Sequence, residues 1–349
     1  MSFGGAKSQG RRAEEVLENI FRIPVGLPEN PLKELNSYLI RDPVRSLLID
    51  TGFRRPECLD DLLAGLTDVG EDSGGVDVLL THLHADHSGN ASVIGGGQRI
   101  YISEVDAKWL ERLPRDGKTG HGGGLVWSRE RDTLTGMPEE MVDNIGKLNP
   151  ALMFAPPGGV GYTYIHDGEI INAGGYSLRC ILTPGHTPGH MCLWDGRIGL
   201  MFTGDHVLFD ITPNIGVWPG VEDPLGDYLD SLEMIRGYPV KTPLPGHRKP
   251  GDFHARIGEL QKHHETRLAE VEGIVRAGPG LTAYDISGRM RWKIRACDWS
   301  SFPDPQKIFA IGECQSHLDY LIIRGAIVRK RDGNVHRYYP CNRLAKTPM

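Results

Sequence analysis

The run Thr81-His82-Leu83-His84-Ala85-Asp86-His87-Ser88-Gly89-Asn90 places three imidazoles and a carboxylate within six residues. Neutral imidazole and carboxylate are ligands that borderline divalent cations such as Zn(II), Mn(II) and Fe(II) accept. A lone His-x-His is a weak signal, but four donors in this order directly after an apolar run are a strong one. Three further donor groups lie downstream: His186 and His190 in Thr183-Pro184-Gly185-His186-Thr187-Pro188-Gly189-His190, Asp205 in Gly204-Asp205-His206, and His247 in Pro245-Gly246-His247. The set suits two metal ions side by side. Such a pair brings the pKa of a shared water toward neutrality and polarises a carbonyl or phosphoryl oxygen. Asp86 is suited to orient the resulting hydroxide and to carry a proton to the leaving group. A serine nucleophile is not needed, and its G-x-S-x-G pattern does not occur.

The elements that must hold these donors are legible as short apolar runs. Val76–Leu80 reads as a buried strand, and alternation of side chains puts His82 and His84 on the same side as they leave it. Asp86 and His87 are expected in a turn. Leu178–Leu182, Ile198–Thr203 and the run from Val240 to Leu244 precede the other three groups. Gly or Pro flanks each donor, as in tight loops at strand ends. Residues 17–105 alternate apolar runs with turn signals and one helical stretch, Leu59–Leu66, which predicts an α/β arrangement of sheets with helices outside.

This set of motifs resembles the metallo-β-lactamase superfamily, and most closely its glyoxalase-II-like branch of thioester and ester hydrolases. The resemblance rests on the HxHxDH run at 82–87, the TPGHTPGH run at 183–190, Gly204-Asp205 and Pro245-Gly246-His247. Asn36–Ile40 and Leu48–Gly52 resemble two early strands of that fold, and the likeness spans roughly residues 17–250. It implies an αββα sandwich in which one metal takes His82, His84 and His186, the other takes Asp86, His87 and His247, and Asp205 bridges them. Zinc is the expected metal, with Mn or Fe as options. His190 is expected to support a ligand by a hydrogen bond or to pack, and His206 has no assigned role.

Composition bounds the rest. The chain has 349 residues, 24% charged and 39% hydrophobic, with a net charge of −6. That is ordinary for a globular protein and makes the whole molecule no electrostatic magnet for nucleic acid. No apolar run approaches the roughly 18 residues of a membrane span. Residues 1–7 lack a signal-peptide core, so a cytoplasmic enzyme is expected. The six cysteines form no CxxC pair, and neither a disulfide framework nor a thiolate metal site is expected.

Residues 1–278 are read as the catalytic domain, with 1–15 frayed. The rhythm breaks at 107–160, with a glycine-rich loop at 120–124 and a helix over Pro138–Leu148. This insertion is expected to cap the metals and select substrate. Pro213–Gly220 should form a wall of the cleft, where Trp218 either contacts substrate or packs. Arg248 and Lys249 either pair with an anionic substrate group or are surface charges. Ala255–Arg276 reads as a helix whose His263 and His264 are solvated or capping. Residues 279–349 are read as a small winged-helix-like domain, with helices at Leu281–Met290 and Pro305–Ile323 and a hairpin turning at Asp332-Gly333. Its wing carries Arg329, Lys330, Arg331 and Arg337 beside Tyr338 and Tyr339.

The leading functional expectation is a metal-dependent hydrolase of a small thioester or ester, of acyl-glutathione or acyl-CoA type. Similar enzymes with a short C-terminal winged helix cleave single-stranded RNA, so an RNA endonuclease or phosphodiesterase is the rival, and a lactonase is a third option. A non-enzymatic winged-helix regulator ranks last, because a full ligand set would serve no purpose in it. The wing's basic residues suit phosphates, but the helix Pro305–Ile323 has Lys307 as its only Lys or Arg, so packing on the catalytic domain or in a homodimer ranks ahead of nucleic-acid binding. The iron-dependent flavoprotein relatives have Glu where His84 stands, which favours hydrolysis over redox chemistry. Against glyoxalase II itself, His247 is followed by Arg248-Lys249-Pro250, and the C-terminal helices of that enzyme are replaced.

Overall fold

The computed structural model describes residues 12–94, 99–113, 129–148, 153–293 and 298–341. The glycine-rich loop at 120–124 and Cys297 lie outside them. Two sheets form the centre. The first runs in the order β1 (Glu14–Leu17), β2 (Ile20–Gly26), β3 (Glu34–Ile40), β4 (Ser46–Ile49), β5 (Val76–Leu79), β6 (Ile100–Ser103), β7 (Thr163–Ile165). It is antiparallel from β1 to β4 and parallel from β4 to β7. The second runs β12 (Thr242–Pro245), β11 (Leu200–Gly204), β10 (Met191–Asp195), β9 (Tyr176–Leu182), β8 (Ile170–Ala173), with β11 and β12 parallel. Strand β1 covers the end of the stretch expected to fray.

Period-2 alternation decides what each strand face buries. Tyr38, Ile40, Leu47 and Ile49 of the first sheet meet Cys180, Leu193 and Phe202 of the second in one inter-sheet core. Their neighbours Leu39 and Leu48 turn outward onto Leu62 and Leu66 of the helix Pro56–Asp68. On the far side, Ile181, Cys192 and Met201 pack against the helices Pro224–Arg236 and Phe253–Ala277. Because helices cover both outer faces, strands such as β4, β10 and β11 are buried along their whole length. The result is the αββα sandwich expected from the sequence.

The C-terminal segment contributes a short helix, Ala283–Ser287, a long helix, Asp304–Ile323, and the hairpin β13 (Ile327–Asp332) and β14 (Val335–Pro340). Asp332 pairs with Val335, so Gly333-Asn334 is the turn. The segment shares a core with the preceding helix: Val271 and Val275 pack with Ile286, Cys314, Leu318 and Tyr338. His264, expected to be solvated or capping, is instead fully buried, with Nδ1 3.1 Å from His317 Nε2. The long helix brings His317 over it, which helical periodicity within residues 255–276 cannot reveal.

The helices Arg129–Leu134 and Glu139–Leu148 lie behind that long helix, where Met137, Met141, Val142 and Ile145 pack on Ile308 and Ile311. None of the described helices is long and apolar enough to cross a membrane.

Candidate metal centre

The donor-bearing loops leave the same end of the two sheets, after β5, between β9 and β10, and after β11 and β12. Strand β5 stops at Leu79, and Asp86 and His87 sit in a short helix, Ala85–Ser88, where the sequence suggested a turn. The helix starts there because His84 takes an extended conformation and its carbonyl accepts the first N–H bonds. All seven expected donors converge: His82, His84 and His186 in one group, His82, His87 and Asp205 in a second, and Asp86, His87 and His247 in a third. Within each group the donor atoms lie within 4.8 Å of one another. Asp205 sits between the groups, its Oδ2 3.7 Å from His186 Nε2 and 3.5 Å from His247 Nε2, its Oδ1 3.4 Å from His87 Nε2.

Four of the five imidazoles are oriented by their other nitrogen, the arrangement that fixes which atom can meet a cation. His87 Nδ1 is 2.7 Å from Asp50 Oδ2, His186 Nδ1 is 2.8 Å from the Asn214 carbonyl, His247 Nδ1 is 2.7 Å from the Glu34 carbonyl, and His82 Nδ1 is 3.0 Å from Thr81 Oγ1. Their Nε2 atoms therefore face the centre. His84 is turned the other way, with Nδ1 3.1 Å from His82 Nε2 and 2.9 Å from His186 Nε2.

The donor chemistry fits a cation. His87 Nε2, His247 Nε2 and Asp205 Oδ1 are buried and lack a hydrogen-bond partner, a costly state unless something positive meets them. Burial, together with the neighbouring His186, pushes His84 down to about 3, and burial also lowers His82 and His186. Burial thus favours the neutral ring, the form that coordination requires. At His87 and His247 burial pulls the same way, but Asp50 and Asp205 for the first, and Asp205 and Asp86 for the second, outweigh it and raise both pKa values. The carboxylates thus call for positive charge at this point.

Three residues that the sequence did not single out position the donors. Asp50 accepts the Thr81 N–H at 2.9 Å and the Thr81 hydroxyl at 2.8 Å besides facing His87. It does so at φ 62°, a left-handed conformation that is strained for a non-glycine residue. Asp106, fully buried, accepts the Leu83 N–H at 2.9 Å, the Thr187 hydroxyl at 2.7 Å and the Gly189 N–H at 2.7 Å. It ties the 82–87 loop to the 183–190 loop. Gly189 permits this, since a Cβ there would lie 2.2 Å from Ser103 Oγ and 2.7 Å from Asp106 Oδ1. Asn36 donates to the carbonyls of Pro245 and Arg248 and so brackets His247. His190 meets Thr183 Oγ1 at 2.8 Å through Nδ1 and accepts the Asp205 N–H at 3.1 Å. It thereby supports Asp205 from behind, and His206 lies buried beside it.

The family follows from this geometry and from comparison with known proteins. The profile of the metallo-beta-lactamase superfamily matches residues 33–247. The chain belongs to this superfamily. Metallo-beta-lactamase superfamily relatives include the lactamase-like protein adaB of Aspergillus niger, 27% identical over 260 residues that cover 74% of this chain and 64% of adaB. This chain therefore spans a little under two thirds of that relative's length. The beta-lactamase-like protein 2 homolog of Caenorhabditis elegans is 23% identical, with 81% of each chain covered. An atrochrysone carboxyl ACP thioesterase of Aspergillus novofumigatus is 26% identical over 70% of this chain and 59% of its own. Among solved structures, a metallo-beta-lactamase family protein of Thermus thermophilus superposes with a TM-score of 0.78 at 28% identity, covering 93% of this chain and 100% of that one.

In this superfamily member the donor cluster opens into a cavity of about 800 Å³. Its walls come from Asn30–Leu32, from Leu208, Ile211–Asn214 and Gly216–Trp218, and from the long C-terminal helix. Trp218 both packs and lines: it is buried, 5.8 Å from the His84 ring, and edge-on to Trp109. Of the described residues in 107–160, Ala155 alone lines the cavity. Neither Arg248 nor Lys249 does. Arg248 donates to the Pro31 carbonyl at 2.9 Å, and Lys249 is exposed.

Proposed function

We propose that this protein is a two-metal hydrolase of a thioester whose acyl group is apolar. His82, His84 and His186 would hold one divalent ion, Asp86, His87 and His247 the other, with Asp205 shared, and zinc is the metal these donors suit best, Mn or Fe being able to use them. When bound, such ions supply water of lowered pKa and polarise the substrate carbonyl. The chain's own part is positional. Asp86, partly open to the cavity, has its Oδ2 3.3 Å from His247 Nε2. Burial opposes its ionisation, but His247 and His87 outweigh it and bring its pKa down to about 2. Asp86 is thus a carboxylate that can orient the attacking water, take its proton and pass it to the departing sulfur. Trp218, Leu208 and Ile211 give the acyl side an apolar wall.

The observation that carries the reading is the contrast between the donor cluster and the walls above it. Among the described residues lining the cavity there is no Lys or Arg, and the charged ones away from the cluster reduce to Glu29. Such a lining suits an acyl chain and offers nothing to a phosphodiester backbone, which needs cationic contacts. The basic wing is also largely neutralised by its own acids. Arg329 pairs with Asp319 at 3.0 Å, Arg337 with Asp332 at 2.6 Å and Arg331 with Glu130 at 3.7 Å, while Lys330 stands over the Tyr339 ring. The thioesterase name of one fungal relative points the same way.

The test is thiol release from a panel of acyl-CoA and acyl-glutathione thioesters by zinc-loaded protein, with Asp86→Ala as control. Release that the variant abolishes supports the proposal. No release from a metal-replete sample sinks it and moves single-stranded RNA and lactones to the front.

A further inference from the structure

The long C-terminal helix lies directly against the cavity. Pro305, Ile308, Phe309 and Gly312 line it, and their i, i+3, i+4, i+7 spacing is one face of an α-helix. That face is registered on the donor cluster by short polar contacts. Asn214, whose carbonyl orients His186, donates through its side chain to Glu313 Oε2 at 3.2 Å and to the Phe309 carbonyl at 3.3 Å. Ser316 donates to the Ile215 carbonyl at 2.6 Å. From behind, Ile308 and Ile311 are packed by Met137, Met141, Val142 and Ile145. The wall is therefore braced on both sides.

Gly312 is the informative residue on this face. A glycine inside a helix is less favourable than alanine, so its presence calls for a reason. Close packing does not supply one, because a Cβ built at Gly312 meets nothing nearer than the Gly216 Cα at 3.9 Å, an ordinary contact. Gly312 is buried, so the open space before it belongs to the cavity. Gly216 lines the same space from the opposing 211–218 loop. Neither glycine sends a side chain into that space.

We propose that the helix Asp304–Ile323 sets the size of the acyl group this site accepts, with Gly312 and Phe309 as the specificity-determining positions. The inference rests on the thioesterase reading above and assigns to this helix the selecting role that the sequence suggested for residues 107–160. Gly312→Leu would send a side chain into that space. Phe309, which is 39% exposed at the cavity rim, can be truncated to alanine with little disturbance of the core.

The experiment uses the full chain, zinc-loaded, with N-acetylcysteamine thioesters running from acetyl to dodecanoyl. The readout is the ratio of kcat/KM for dodecanoyl over acetyl. One methylene in an apolar pocket is worth about tenfold or more in discrimination, so Gly312→Leu should lower the ratio by at least about tenfold. Phe309→Ala should raise it about threefold or more, in line with roughly 0.8 kcal/mol for each newly buried methylene. Binding of a dansyl-labelled undecanoic acid, followed by fluorescence, is measured in parallel and does not depend on turnover. It should weaken about tenfold in Gly312→Leu. If the parent protein hydrolyses no member of the series, the thioesterase reading fails, and the fatty-acid probe alone judges the wall. A chain-length ratio and a probe affinity that both variants leave unchanged overturn the proposal. Should Gly312→Leu not fold, Phe309→Ala decides by the same two readouts.

Discussion

Replacing Asp106 by alanine tests how the metal loops are held. The carboxylate is buried and accepts three hydrogen bonds, from the Leu83 N–H, the Gly189 N–H and the Thr187 hydroxyl. Truncation leaves two backbone donors and a hydroxyl in a site that water does not reach. Each orphaned buried group costs about 1–3 kcal/mol, so with partial relaxation the loss should be roughly 3–5 kcal/mol. Urea denaturation of metal-free protein at neutral pH would measure it as a fall in the midpoint at constant slope. Because Leu83 lies between His82 and His84, and Gly189 beside His190, the loosened loops should also bind zinc about 10–100-fold more weakly. Competition with a chromophoric chelator would read that. A loss below about 1 kcal/mol with unchanged zinc affinity would refute the account of Asp106 as the tie between the two loops. The group carries a pH signature as well. Burial outweighs its three donors and pushes its pKa up to about 6 from 3.8. A carboxyl raised on folding favours the folded state fully below its unfolded pKa, and that contribution is lost as pH rises through about 6. At 1.36 kcal/mol per pKa unit the loss is about 3 kcal/mol, and Asp106→Asn should abolish that slope in metal-free protein.

Three further outcomes are expected. Asp50→Asn replaces one of the two oxygens that receive Thr81 and His87 with an NH2 donor, and should lower zinc affinity about 10–100-fold with a smaller effect on the fold, measured by calorimetric titration. Chelation should lower the melting temperature and zinc should restore it, since a ligand at a thousand times its Kd adds about 4 kcal/mol to the folded state; an unchanged melting temperature would count against the buried unpartnered atoms of His87, His247 and Asp205 being a cation site. Lys249→Ala should alter kcat/KM on thioesters by no more than about twofold, because an exposed side chain away from the cavity is worth within about 0.5 kcal/mol; a tenfold fall in steady-state assays would place Lys249 in substrate binding.

The His/Asp cluster was legible in the sequence because each group follows an apolar run, and Gly or Pro fences the three groups downstream of residue 180. These are local signals, and His82, His84, Asp86, His87, His186, Asp205 and His247 do meet at one end of the sandwich. The sheets were legible for the same kind of reason, since alternation within each strand fixes which side chains share a face. Tertiary structure alone decided the supports. Asp106 reaches Leu83, Thr187 and Gly189 across 23, 81 and 83 residues, and Asp50 reaches Thr81 and His87 across 31 and 37. Nothing periodic marks such residues, and a buried aspartate reads in sequence like any polar loop residue. The cavity wall had the same origin. Pro305, Ile308, Phe309 and Gly312 look from sequence like one face of an ordinary helix, and only the docking of that helix against the 211–218 loop turns the face toward the metal cluster. A pattern along the chain specifies which side of an element is apolar, but what that side meets is set by packing between elements far apart in sequence.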